Sequence, residues 1–233
     1  MKYIKKLTVS GNEQKLVSES AVLDMSGPGR AVFVIQAERP AIGEIVQFFL
    51  GLDGVAALWF SGYIEHGRRI DSRQWRIVAR EYSALLARRW TISQRHTSAA
   101  RVLEEISRRT GISFRFGPGA EEWKDTPIAF FFNLGSGYEA LDLVGKHLRI
   151  SDFVWMNQPD GTVFVGSGSE LAGAGSVLVI PERFFTGLSA AGADCPLLPD
   201  LRPGRRIRIG DSDPVRIESI TLQGEKMRMN FQC

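Results

Sequence analysis

The sequence predicts an α+β fold dominated by β-structure and divided into three parts. Short apolar runs separated by turn residues fill the first part, two helical patterns occupy the middle, and short β-type runs return at the end. On these changes we place an N-terminal small antiparallel barrel at 1–94, an α+β domain at 95–166 and a C-terminal β domain at 167–233. The 233 residues are enough for one large domain or for two to three small ones.

The N-terminal part consists of predicted strands with almost no helical period. Turn residues such as 26–29 (SGPG) and 52–54 (LDG) separate the apolar runs. Repeated short strands joined by turns are typical of a small antiparallel barrel or sandwich. The predicted strands are centred on 15–17, 31–35, 46–50, 57–64 and 75–79.

The hydrophobic period changes to that of a helix near residue 98. An apolar stripe runs from Val102 to Thr110. Thr97 or Ser98 can cap the start, and Gly111 suits the left-handed position that ends many helices. We therefore predict a helix over 98–110, followed by a strand at 112–116.

A second helix is predicted from Ser136, where Glu139 completes the spacing of a capping box. Its apolar pattern repeats that of the first helix 38 residues later, with Leu141 at the position equivalent to Leu103. Each helix runs into a strand, and the second strand forms a hairpin around 158–161. This duplicated helix–strand unit predicts two helices packed on one small sheet.

The C-terminal part returns to short strands. A Gly/Ser/Ala stretch at 167–175 is interpreted as a linker or a long loop. Pro203 and Gly204 indicate a turn ahead of the second strand. The predicted strands are 176–180, 206–209, 215–221 and 226–231.

Arginine is concentrated in about one fifth of the chain. Residues 62–110 contain eleven Arg, no Lys and five acidic residues, although the net charge of the whole chain is only +3. Arg forms bidentate, stacked and interfacial pairs more readily than Lys does. Nucleic-acid binding is another explanation, and strands with polar outer faces explain part of the charge. The arginines that we assign to a protein interface are Arg68, Arg69, Arg73, Arg76, Arg80, Arg88 and Arg89.

We expect no metal and no cofactor. Two cysteines, Cys195 and Cys233, are too few for a four-ligand site, and the three histidines show no ligand spacing. Two free thiols in a reducing cytosol are the simplest interpretation. The chain has no apolar run of about 18 residues that would span a membrane. Its basic start lacks the apolar core of a secretory signal, so we expect a cytoplasmic product.

The sequence offers no supported catalytic motif. Residues 187–191 lack the final Gly of a nucleophile elbow and its strand–turn–helix context. The neighbouring carboxylates Glu104 and Glu105, and likewise Glu121 and Glu122, point in different directions on a helix and do not form an acid/base pair. No phosphate-binding glycine motif and no zinc-protease motif is present. We therefore expect a protein that is not an enzyme.

The order of these segments resembles the baseplate hub proteins of tailed bacteriophages. That family includes late control protein D and the Mu-like tail hubs. The resemblance rests first on the strand 60–65 (FSGYIE), the strand 74–82 (QWRIVAREY) and the helix that leads to Gly111. It continues at 201–209 (LRPGRRIRI) and 215–220 (VRIESI), which are similar to the last barrel of the family.

The resemblance implies a structural virion protein made in the host cytoplasm and located at the baseplate or tail tip. In that family three copies form a ring with two barrel-like domains in each chain. One face of the ring meets the distal tail-tube protein and the other carries a central spike or fibre. DNA passes through the lumen without specific binding, and no membrane is involved. The part after Gly166 is short for a complete tail-tube-like barrel, so we expect either a reduced barrel or strands shared with the first one.

Three alternatives stay open at this point. A nucleic-acid-binding module built from small barrels would bind DNA in a salt-dependent way. A tail-associated cell-wall hydrolase would need an acid/base pair that the sequence does not indicate. A secretion-system component is a third alternative, because paired helix–strand units resemble the ring-forming domains of outer-membrane secretins. The missing secretory signal argues against it.

Overall fold

The computed structural model describes residues 2–37, 40–171 and 175–232, and its architecture is the predicted β-rich α+β fold. The N-terminal strands are β1 Tyr3–Val9, β2 Asn12–Asp24, β3 Arg30–Gln36, β4 Ile45–Leu52, β5 Val55–Arg69 and β6 Gln74–Glu81, followed by a 3-10 helix, Tyr82–Ala87. The middle contains β7 Ile92–Thr97, α1 Ala99–Thr110, β8 Phe114–Phe116, β9 Ile128–Asn133, α2 Gly137–Leu148, β10 Phe153–Asn157 and β11 Val163–Ser167. The last strands are β12 Leu178–Ile180, β13 Thr186–Ser189, β14 Gly192–Pro196, β15 Arg206–Ile209, β16 Val215–Gln223 and β17 Lys226–Phe231.

The first six strands form a closed antiparallel barrel. Their order is β1-β4-β5-β6-β3-β2, and β1 pairs with β2 to close the ring. Alternate residues point inward, because successive side chains of a strand face opposite sides. Phe33, Phe48 and Phe60 are fully buried among them, with the Phe33 and Phe48 rings 5.1 Å apart. The predicted N-terminal barrel is confirmed.

The C-terminal strands extend the sheet of this barrel. Strand β16 pairs antiparallel with β2, with Ile220 opposite Leu23, and the sheet continues through β17 and β14 to β13. Ile217, Leu222 and Met229 belong to the same hydrophobic cluster as the barrel interior. The shared strand is therefore β2, which explains how so short a segment buries its apolar face. The domain boundaries themselves stay a prediction.

Both predicted helices are present with the expected caps. Ser98 accepts a hydrogen bond from the Arg101 N–H at 3.5 Å, and Gly111 ends α1 with a φ of 75°. Ser136 and Glu139 form a complete capping box at the start of α2. A strand precedes each helix, β7 before α1 and β9 before α2, so the repeated unit is strand–helix–strand and not only helix–strand.

The expectation of one small sheet in the middle part is wrong. The structure has a three-stranded sheet, β10-β11-β8, in which β8 runs parallel to β11, and a separate antiparallel pair, β7 and β9. The first strands of the two units pair with each other, and the last strands both pair with β11. All of these elements enclose one cluster that includes Leu103, Ile106, Leu141 and Val144.

The predicted linker is ordered where the structure describes it. Gly168–Glu170 forms a 3-10 turn, and the Glu170 carboxylate accepts hydrogen bonds from the N–H groups of Gly119 at 2.7 Å and Ser167 at 3.2 Å. Leu171 is buried. Residues 172–174 of the predicted linker lie outside the described residues. Within the described ranges no helix is long and apolar enough to cross a membrane.

Candidate interaction surface

The structure places five of the seven predicted interface arginines on the β5–β6 hairpin. Arg68 and Arg69 end β5, Arg73 lies in the turn, and Arg76 and Arg80 lie on β6. Arg88 and Arg89 lie apart from them, after the 3-10 helix. Arg80 is half-buried and the other six are exposed. No carboxylate of the described residues forms an ion pair with any of the seven.

Strand register brings some of these arginines together on one face. On β6, Ile77, Ala79 and Glu81 face the core, so the intervening residues face outward. Arg80 lies directly opposite Arg30 on β3 and Tyr63 on β5.

A second row repeats this arrangement nearer the turn of the hairpin. Arg76 lies opposite Arg68 on β5 and Val34 on β3. Arg30 was missed in the sequence because it lies outside the Arg-rich segment. Its alternation with buried Ala31 was the available signal for an outward-facing position.

The tip of the hairpin is held by its own hydrogen bonds. The N–H groups of Arg73 and Gln74 donate to the Asp71 carboxylate at 2.7 and 2.8 Å. The Arg69 Nε donates to the Asp71 carbonyl oxygen at 2.8 Å. These bonds satisfy an otherwise exposed turn and fix the direction of both strands. Part of the Arg69 guanidinium is therefore used within the hairpin.

A buried polar network joins the barrel to the 201–202 segment. The Gly29 N–H donates to the Glu81 carboxylate at 2.7 Å, and the Arg202 guanidinium lies 3.8 Å from the same carboxylate. Arg202 also donates to the Trp59 carbonyl oxygen, and the Trp59 indole N–H donates to the Leu201 carbonyl oxygen at 3.2 Å. The sequence analysis did not predict this network, because its partners are far apart in the sequence: Trp59 and Leu201 are 142 residues apart.

Burial controls the ionisation of this network. Burial raises the pKa of Glu81 to about 7, and the nearby charge of Arg202 and the hydrogen bond from Gly29 oppose that change. Burial also lowers the pKa of Arg202, with Glu81 opposing it. Both directions indicate that desolvation of the charged groups outweighs their mutual attraction. The network is enclosed, so its chemistry suits positioning of chain segments and not catalysis.

Cys195 is a buried thiol. Its residue is 4% exposed, and burial, assisted by the charge of Asp194, raises the pKa of the thiol to about 12. A protonated thiol is a poor nucleophile and a poor metal ligand. Cys233 lies outside the described residues. Among the residues that the structure describes, no cluster of His, Cys, Asp and Glu side chains could hold a metal ion.

The groups considered for catalysis take part in local structure. Glu105 pairs with Arg108 and Arg109 on the same helix turn, at 2.9 and 2.6 Å. Ser189 lies on the exposed strand β13, and its hydroxyl donates to the Gly192 carbonyl oxygen at 3.1 Å. Glu121 pairs with Lys124. None of these carboxylates or hydroxyls faces another in an acid/base arrangement.

Solved structures of phage tail proteins share this architecture over almost the whole chain. The 43 kDa tail protein of prophage MuSo2 from Shewanella oneidensis superposes with a TM-score of 0.75, covering 99% of this chain and 97% of that one at 8% identity. This is the fold of phage tail proteins. A tail protein from Neisseria meningitidis MC58 shares the tail-protein fold with a TM-score of 0.66 over 99% of this chain and 96% of the other, at 10% identity.

The tail-protein fold also occurs in a bacterial secretion machine. The E. coli c3393 protein, a component of the type VI secretion system described as similar to the T4 tail proteins gp27 and gp5, superposes with a TM-score of 0.68. It matches 97% of this chain and 76% of its own, at 13% identity. Identities this low show the fold alone, and the resemblance found in the sequence is confirmed at that level.

One curated relative comes from a phage. An uncharacterized 58.7 kDa protein of Haemophilus phage HP1 is 28% identical over 225 residues, which is 97% of this chain and 41% of the relative. The chain thus spans about two fifths of the length of that relative. No family model matches the sequence. The comparisons therefore show the fold of phage tail proteins and one relative of phage origin.

Proposed function

We propose that the chain is a structural protein of a phage tail and forms the hub at the baseplate or tail tip. The observation that carries the proposal is the tail-protein fold, shared over 99% of this chain and 97% of the MuSo2 tail protein. The barrel, the strand–helix–strand pair and the sheet extension through β2 are all included in that match. The phage origin of the HP1 relative supports a tail in preference to other machines with the same fold.

In this proposal three copies close into a ring. Each chain contributes the six-stranded barrel and the sheet that continues from it, so three chains would present six β units around an axis. Contacts of this kind are heterologous and must close by rotation. One face would meet the distal tail-tube protein and the other a spike or fibre, with the DNA channel between them and no specific binding of the duplex.

The seven arginines would contact neighbouring subunits or tail proteins. Two observations support this: six of the seven are exposed and Arg80 is half-buried, and none forms an ion pair with a described carboxylate. Arg suits interfacial pairs with carboxylates, because its planar guanidinium binds them in a bidentate way. Channel-lining arginines would instead hold phosphates, at a cost to DNA transit that grows at low salt.

A component of a type VI secretion system is the second candidate. The observation in its favour is the match to c3393 and to a chain of the Francisella PdpA–VgrG complex, the latter with a TM-score of 0.60. The two candidates differ in the particle that contains the chain.

Location in the particle tests the proposal. The reading frame should be interrupted in the phage or prophage that encodes it, and an antibody against the chain should be used for gold labelling of purified tails. We expect no complete tails from the interrupted frame, and gold at the distal end of tails from the complemented strain. Normal tails without the chain, or labelling of the head or of the sheath along its length, would contradict the hub.

A further inference from the structure

We propose that the outward face of β3, β6 and β5 docks an extended protein segment that carries acidic side chains with an apolar side chain between them. The inference deepens the proposed interface role of Arg76 and Arg80, because it names the chemistry of the partner and its spacing. It rests on strand register, on unpaired cations and on an adjacent groove that is lined in part by valines.

Two pairs of like charges face each other across this sheet. Arg30 is directly opposite Arg80, and Arg68 is directly opposite Arg76. Opposite residues of neighbouring strands have Cβ atoms about 5 Å apart, and like charges at that distance destabilise the sheet. No described carboxylate forms an ion pair with any of the four. An anionic group placed over each pair would reverse this repulsion.

One nitrogen of Arg80 also lacks a hydrogen-bond acceptor. Its Nε is buried and donates no hydrogen bond to a described protein atom. The Nε itself is out of reach, so a partner's carboxylate would meet the terminal N–H groups of this half-buried side chain. A carboxylate is the acceptor whose geometry fits a guanidinium best.

The surface between and beside the charged pairs is apolar in part. Val78 lies between the two arginines of β6 and is only 9% exposed, whereas Val32, opposite it on β3, is half-buried. A groove of about 620 Å³ includes Arg76, and its apolar lining is Val17, Val32 and Val34. The rest of its lining is polar: the ion pair of Lys5 and Glu19, serines of β2, and Gln223. Val17 is 49% exposed. An apolar side chain of the partner would remove this surface from water.

This mixture favours a protein over a nucleic acid. Protein interfaces are enriched in Arg, depleted in Lys, and have an apolar centre with a charged rim. All four cations of the two pairs are Arg, and valines lie between them. A duplex would present phosphates to the arginines and would offer the valines no apolar contact.

The register sets the spacing of the partner's side chains. Arg76 and Arg80 are four residues apart on one strand, which is about 13 Å at the usual rise of a strand. An extended partner running along β6 would place side chains on the same face at every second position. The pattern acidic–x–apolar–x–acidic would therefore put one carboxylate over each arginine pair and an apolar side chain over Val78 and Val32.

Fluorescence anisotropy on the full chain tests this pattern. The probe is a labelled peptide of about ten residues with Asp-x-Val-x-Asp at its centre and Thr at the other positions. We expect saturable binding that weakens with added salt, and at least about tenfold weaker binding for Arg76→Glu and for Arg80→Glu, since each replaces attraction by repulsion. A peptide with Ser in place of Val should bind more weakly than the probe.

A matched control separates the site from net charge. Arg206 is exposed on β15 and also faces an arginine, Arg216, across a strand pair. Arg206→Glu should leave peptide binding unchanged, and thermal unfolding of each variant should show a folded protein. The proposal is overturned if the peptide does not bind, if Arg206→Glu weakens binding equally, or if the Ser peptide binds as well as the Val peptide.

Duplex DNA serves as the competing probe. If DNA binds as tightly as the peptide and loses binding with the same two variants, the face belongs to nucleic acid and the proposal fails. Failure of the docking proposal would not affect the proposed location of the chain in a tail, because gold labelling measures that location independently. Peptide binding by a chain that is not found in tails would support the docking face and refute the hub.

Discussion

Replacement of Glu81 by Gln tests the buried network that joins the barrel to the 201–202 segment. The folded protein holds the pKa of Glu81 at about 7, against 4.5 for the unperturbed group. The native state therefore binds this proton more tightly than the unfolded state. The resulting stabilisation is fully present below pH 4.5 and is lost as the pH rises through 7.

The magnitude follows from the two pKa values. At about 1.4 kcal/mol for each unit, the free energy of unfolding should fall by about 2.5 kcal/mol between pH 5 and pH 8 on account of Glu81 alone. Gln cannot ionise and still offers an oxygen to the Gly29 N–H. The difference in stability, wild type minus Glu81→Gln, should therefore be about 2.5 kcal/mol larger at pH 5 than at pH 8.

Urea denaturation at the two pH values measures this difference. Other titrating groups cancel, because both proteins contain them. Glu218→Gln is the matched control, since Glu218 is an exposed carboxylate outside the buried network. A difference for Glu81→Gln that is equal at both pH values, or larger at pH 8, would refute the assignment of a desolvated carboxyl to this position.

Three further predictions concern the core, the thiol and the arginines. Leu103→Ala and Leu141→Ala should each lower the free energy of unfolding by roughly 2–5 kcal/mol, because both side chains are buried in the middle cluster; a loss below about 0.5 kcal/mol at both in urea titrations would contradict equivalent packing. Cys195 should resist a thiol reagent until the chain unfolds, and Cys195→Ser should change neither assembly nor metal content; one zinc per chain by elemental analysis, lost in the variant, would contradict this. Arg76→Glu or Arg80→Glu should stop tail assembly, seen by electron microscopy; normal tails that fail only in DNA delivery would assign these arginines to the channel.

Local signals in the sequence predicted much of the fold. Ser136 and Glu139 fixed the start of α2, and Gly111 fixed the end of α1, because caps depend on residues close in sequence. Five of the six barrel strands followed from alternation and turns, whereas β1, which closes the barrel, was not predicted. The strands β7 and β9 were missed because β7 is largely polar and β9 carries exposed Phe130 and Phe132, so neither alternates cleanly.

Pairings between distant strands could not be predicted in the same way. No local sequence pattern indicates that β16 pairs with β2, or that Arg30 lies opposite Arg80. Register is a property of two strands, and the network of Glu81, Trp59 and Arg202 depends on three segments. The Arg-rich segment was visible from composition, whereas the face that its side chains share became visible only with the register.

The copy number of the chain in a tail tests the central claim most directly. Purified tails should be reconstructed by electron cryomicroscopy without imposed symmetry, and the chain should be quantified against the tail-tube protein. The hub predicts three copies at the distal end, arranged around a threefold axis. Six copies in the tip, or copies repeated along the tube, would contradict it.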